Sequence, residues 1–228
     1  MTRTPDLIDA LVECAAPVRR LRPPLTRAAL WLLFTALVLG LFAIAHGLRP
    51  DLGDRLGQPL FVIGMFGALA TGILAAAASF GISLPDSSRL WALLPLPALV
   101  LWISTIGYSC LTDWVSIRPD GLRLGQAVRC FATLLLTSVP LSLAMLVMLR
   151  YAALLRANRV AMMGGLAVAA ISSSTLALTH ELDATMMILM WNFGTAAIIV
   201  GLSGQFGRKA FSWTASRLPP IPTDFLPR

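Results

Sequence analysis

The chain has 228 residues, 57% of them hydrophobic and only 13% charged, with a net charge of +7. So few charges cannot clothe a soluble globule of this length, and the apolar residues gather into runs of membrane-spanning length, which sets a water-soluble domain aside. The positive balance does not imply nucleic-acid binding either, because arginines scattered beside the ends of apolar runs are what membrane insertion alone requires.

The chain opens with a polar leader over residues 1–27. Thr4 is suited to cap a helix, Pro5 to its first position, and Asp6 and Asp9 to its positive end, while Pro17 marks the stop. A three-turn helix over 5–16 is therefore predicted. On it Leu7, Ile8, Leu11, Val12 and Ala15 form one stripe, with Asp6, Asp9 and Glu13 largely away from it. About twelve residues are marginal as an isolated helix in water, so the apolar stripe calls for a partner. Lipid headgroups, the cytoplasmic face of the same protein and the groove of a cytosolic protein are the three candidates. The acidic polar face disfavours an anionic membrane surface, which prefers Lys and Arg on the helix.

Six apolar runs follow, at 28–45, 59–80, 90–112, 130–149, 160–179 and 184–206. Each is near the ~20 residues that an α-helix needs to cross ~30 Å of hydrocarbon. None shows the alternating polarity of barrel strands, so the predicted class is all-α, a bundle of six transmembrane helices carrying the short amphipathic helix in front of it. In the second run Gly64, Ala68, Gly72 and Ala76 recur every four residues, and in the fifth Gly165, Ala169, Ser173 and Ala177 do the same. Such stripes let backbones approach; internal packing is the expected use, with a homodimer the alternative. Pro95, Pro97 and Pro140 should bend the third and fourth helices. Tyr108, Thr137, Ser138, Ser172 to Thr175 and Asn192 are the main polar groups at depth, each expected to hydrogen-bond a neighbouring helix. A tail over 207–228 ends the chain.

The loops give the orientation. Thirteen of the eighteen Lys and Arg lie in the leader, the second and fourth loops and the tail, against Arg49, Arg55, Arg118, Arg123 and Arg129 on the other side. The positive-inside rule then puts both termini in the cytoplasm. The leader carries no evident cleavage site and is expected to be retained. The runs lack the mid-depth ionisable residues of a transporter, and no recognised catalytic, phosphate-binding or zinc motif appears, so neither enzyme activity nor a cofactor is expected. His180, Glu181 and Asp183 share the short fifth loop with too little ligand spacing to define a metal. Of the three cysteines, Cys14 lies in the leader, while Cys110 and Cys130 flank the third loop at the exported surface. They can pair only if their α-carbons approach within ~7 Å; two independent thiols are the other reading.

The stretch from Asp6 to Leu11, the run from Ala16 to Pro23 and Gly47-Leu-Arg-Pro-Asp-Leu52 after the first span resemble the NrsF-type anti-sigma factors of bacterial inner membranes. The likeness continues through Gly125 to Cys130 and through Trp191-Asn-Phe-Gly194. The resemblance implies a six-helix protein whose cytoplasmic leader holds an extracytoplasmic-function (ECF) sigma factor away from RNA polymerase until an exported-side signal frees it. Leu7, Ile8, Leu11 and Val12 would then be buried anchors, and Asp6, Asp9 and Glu13 would face the basic surface of a DNA-binding partner. Family members are similar in carrying two exported cysteines, one matching Cys130 and one in the loop before the last span, where this chain has His180. Either Cys110 replaces the missing partner, or Cys130 and His180 together meet a soft metal, or thiol sensing is lost. A small transporter or metal-handling protein is the alternative function, and an assembly subunit held by the small-residue stripes is a third.

Overall fold

The computed structural model describes residues 22–84, 87–113, 124–149 and 157–179, and every regular element among them is helical. The helices are α1 (Pro24–His46), α2 (Leu52–Leu56), α3 (Pro59–Ile82), α4 (Leu96–Asp113), α5 (Leu124–Leu149) and α6 (Ala157–Thr179), with one 3-10 turn at Arg89–Leu93. Among the described residues, five segments are long and apolar enough to cross a membrane. They coincide with the first five predicted runs; the sixth run, the leader helix and the tail lie outside the described residues.

Successive long helices run in opposite directions. The first turn of α1 meets the last turn of α5, where Arg27 donates to the Met148 carbonyl, and the end of α3 meets the start of α6, where Ser79 donates to the Val160 carbonyl over 3.1 Å. Near the start of α3, Gly64 and Gly67 face Thr105 and Trp102 late in α4. The starts of α1, α4 and α6 and the ends of α3 and α5 therefore share one end of the bundle, and the ends of α1, α4 and α6 and the starts of α3 and α5 share the other.

The exterior is apolar, and the interior sets small hydroxylated residues among an apolar core around Trp31, Phe80, Leu141 and Val168. Leu33, Leu37, Leu41, Ile44, Phe66, Val100, Leu136 and Leu143 point outward, while Thr71, Ser79, Thr137, Ser172, Ser174 and Thr175 are buried. Hydrocarbon offers such a surface no penalty, so cohesion has to come from close packing and interhelical hydrogen bonds. The small-residue stripes supply the packing. A Cβ on Gly72 would lie 2.5 Å from Ile171 Cγ1, so only glycine lets α3 approach α6 at this point. On α6 the tightly buried face is Val160, Gly164, Ala167, Val168 and Ile171, rotated by about one residue from the predicted Gly165, Ala169, Ser173, Ala177 stripe. The stripe on α3 is used internally, as expected, through Gly64, Ala68, Gly72 and Ala76.

Two expectations are modified by local chemistry. Pro95 and Pro97 do not bend a continuous third helix. Instead the chain makes its 3-10 turn at Arg89–Leu93 and begins α4 at Leu96, since a proline fits the start of a helix better than its middle. Pro140, by contrast, lies inside α5. The buried hydroxyls also turn back on their own helices: Ser173, Ser174 and Thr175 donate to the carbonyls of Ala169, Ala170 and Ile171, and Thr137 to Thr133. A hydroxyl four residues past a carbonyl reaches it without help from a neighbour. Among the described residues, Ser79 crosses instead to another helix.

Candidate functional sites at the two ends of the bundle

The apolar run begins at Ala28, but α1 begins at Pro24, whose fixed φ suits a first helical position. This places Arg27 in the first turn, only 5% exposed, rather than in a solvated leader. The guanidinium lies 5.2 Å from the centre of the Phe80 ring on α3, and Nη2 donates to the Met148 carbonyl at the end of α5. A guanidinium satisfies a helix C-terminus well, because the last carbonyls have no partner within the helix and carry the negative end of its dipole. Nη1 is buried with no acceptor among the described residues. One turn further along α1, Trp31 is fully buried and its indole N–H donates to the Leu141 carbonyl over 3.1 Å. The leader is thus joined to the bundle through a helix start bonded to α5 at two levels.

The opposite end of α1 is closed by Gly47, whose φ of 77° is rarely open to other residues, and the Gly47 N–H returns to the Ala43 carbonyl over 2.9 Å. His46 is the last residue of α1, stacked on Phe42 with ring centroids 4.1 Å apart. Beyond Gly47 the chain turns inward at Arg49, which is 5% exposed. Its backbone N–H donates to the Leu178 carbonyl over 3.1 Å and its Nη1 to the Ala177 carbonyl over 3.4 Å, so Arg49 closes the C-terminus of α6. The same guanidinium grips Asp51 in a bidentate pair, Nε to Oδ1 and Nη2 to Oδ2, both 2.7 Å. Arg55 stands 3.6 Å from Asp51 on the first turn of α2 and also donates to Gln58 over 3.2 Å. The bonds from Arg49, with smaller contributions from its charge and that of Arg55, hold the Asp51 carboxyl down at about 2, against a weaker desolvation effect in the other direction.

The sequence singled out Gly47 to Leu52 without giving it a task; its task is to bind the first loop to the end of α6. Arg27, Trp31, Arg49 and Asp51 were not among the predicted site residues. The one available signal was an arginine inside or directly against an apolar run, which has to find a partner. Of the predicted site residues, Asp6, Leu7, Ile8, Asp9, Leu11, Val12 and His180 lie outside the described residues. Cys110 belongs to the last turn of α4 and Cys130 to the second turn of α5. Both therefore sit at the Arg49 end, where α6 also stops at Thr179, directly before His180. Their side chains are outside the description, and so is any bond between them. Among the described residues no three His, Cys, Asp or Glu come together.

The family model named NrsF, negative regulator of sigma F, matches residues 11–213. No curated protein and no solved structure matches the chain. Since the match covers nearly the whole sequence, the chain belongs to the NrsF family: it is a negative regulator of a sigma factor, built on apolar helices of membrane-spanning length.

Proposed function

We propose that this NrsF-family chain is a bacterial inner-membrane anti-sigma factor that holds an ECF sigma factor through its cytoplasmic leader and releases it on an envelope signal, a metal or an oxidant. The observation that carries this reading is the family match, which begins at Leu11 within the leader and runs through the bundle. The orphan apolar stripe of the leader supports it from the side of physical chemistry. Leu7, Ile8, Leu11 and Val12 fill a groove on the sigma factor, and Asp6 and Asp9 meet its basic rim. The protein then acts by occupancy rather than by chemistry, and a few kcal/mol of difference in leader affinity between two bundle states is enough to switch it.

The decisive experiment is a detergent pull-down with the full chain and with a version lacking residues 1–24, followed by mass spectrometry. A sigma factor retained by the full chain alone is the expected outcome; equal recovery from both sinks the tether. Replacing Leu11 and Val12 by Asp should abolish retention while leaving the bundle folded. On the signal side, Cys130 is the sensing thiol, with either Cys110 or His180 as its partner. Reporter induction by Cd(II) or by an oxidant should be lost in a Cys130→Ser strain, and unchanged induction removes this thiol from the mechanism.

A further inference from the structure

Helix α1 links the leader to the far end of the bundle, yet it buries little of itself: Arg27, Ala28, Trp31, Thr35 and Phe42 are its buried residues. Most of its surface, including Leu33, Leu37, Leu41 and Ile44, faces outward. Its inner face packs chiefly against α3, and what fixes its ends to the other helices is the few directional bonds that it makes. These bonds lie at its two ends and run to two different helices, from Arg27 and Trp31 to carbonyls of α5 and from the following loop, through Arg49, to carbonyls of α6. Between them the helix is a continuous 23-residue rod, about 35 Å long at 1.5 Å per residue.

We propose that α1 is the transmitting element of this regulator, with Arg49 and Arg27 as its positioning residues: a shift at the end of α6 is passed through Arg49 to α1, and Arg27 sets how the leader leaves the bundle. Arg27 is the yielding end. It is buried with one donor nitrogen unsatisfied, so a small displacement of α1 can improve its bonding as readily as break it. Arg49 is the firm end, with two bonds to α6 and two to Asp51. Because the acceptors on α5 and α6 are main-chain carbonyls, the coupling works without any titrating group in those helices. Neither arginine is a sigma-contacting residue in this scheme, since both are buried within the bundle.

The inference rests on the leader-tether reading, so the test carries one readout that needs the sigma factor and one that does not. Full-length protein in nanodiscs is compared as wild type, Arg49→Gln, Arg27→Gln and Asp51→Asn for affinity toward the sigma factor recovered by pull-down. In parallel, Cys14 is labelled with a polymer-linked maleimide in a Cys110→Ser, Cys130→Ser background, where it is the sole thiol. Arg49→Gln should weaken sigma binding at least fivefold and alter the Cys14 labelling rate at least threefold, although it lies at the opposite end of α1. Arg27→Gln should do the same, and Asp51→Asn, which leaves the Arg49 bonds to α6 in place, should stay within twofold on both readouts. A folded Arg49→Gln protein with unchanged Cys14 labelling overturns the transmission model whether or not sigma binds. Failure of the wild type to bind sigma, with labelling changed as expected, overturns the tether and leaves the transmission standing. Arg49→Lys, which keeps the charge but loses the planar fork, serves where Arg49→Gln does not fold.

Discussion

The two ends of α1 solve one problem with unequal success. Each brings a buried arginine to the C-terminal carbonyls of another helix, yet Arg49 adds a bidentate carboxylate and a backbone bond, whereas Arg27 has a carbonyl, an aromatic face and an unsatisfied nitrogen. An unmet buried donor costs roughly 1–3 kcal/mol, so the leader end is held less firmly than its counterpart. A regulator that has to let go on one side benefits from that inequality: the fixed end supplies a reference against which the other moves.

The comparison can be broken most severely between the two ends. Trp31→Ala removes a fully buried ring and its bond to Leu141, and should cost about 3–5 kcal/mol in reversible detergent unfolding, taking the leader end with it. Arg49→Ala comes next. The Ala177 carbonyl loses its side-chain donor and Asp51 its bidentate partner, while the backbone bond to Leu178 stays, and a loss of about 1–2 kcal/mol is expected, read as faster amide exchange in the last turn of α6. Arg27→Met should change stability by less than about 1 kcal/mol, because the loss of one carbonyl bond is offset by removal of the unmet nitrogen. Equal costs for Arg49→Ala and Arg27→Met would erase the asymmetry.

The smallest effect is on pH. The Asp51 carboxyl is depressed from its ordinary value to about 2, so the stability it contributes is fully present above pH 4 and is lost as pH falls through about 2. Docking of the first loop should therefore be indifferent to pH between 5 and 8, and amide exchange at Arg49 should accelerate only in strong acid. Asp51→Asn should abolish that acid dependence.

The helical runs were legible because lipid imposes a length and a polarity that a sequence shows directly, and five of them recur as helices. What escaped depends on contacts between distant residues. Nothing near Arg27 announces Met148, 121 residues away, and the Arg49 to Ala177 bond spans 128. The α6 stripe was read one residue out of phase because small residues occupy several faces of that helix, and only the neighbour decides which face packs. The serines and threonines at depth were expected to join helices; most of those described satisfy themselves, since the carbonyl one turn back is nearer than any other helix. The predicted anchors of the leader rest on the sequence pattern and the family resemblance.

The choice of backbone carbonyls as acceptors reaches into how such proteins diverge. Every amino acid offers the same oxygen, so Met148, Leu141, Ala177 and Leu178 are free to drift under selection for packing alone while Arg27, Trp31 and Arg49 keep their partners. Paired substitutions, the usual trace of touching residues, will be missing at these junctions, and a contact map inferred from co-varying positions will leave α1 looking detached from the helices that hold it.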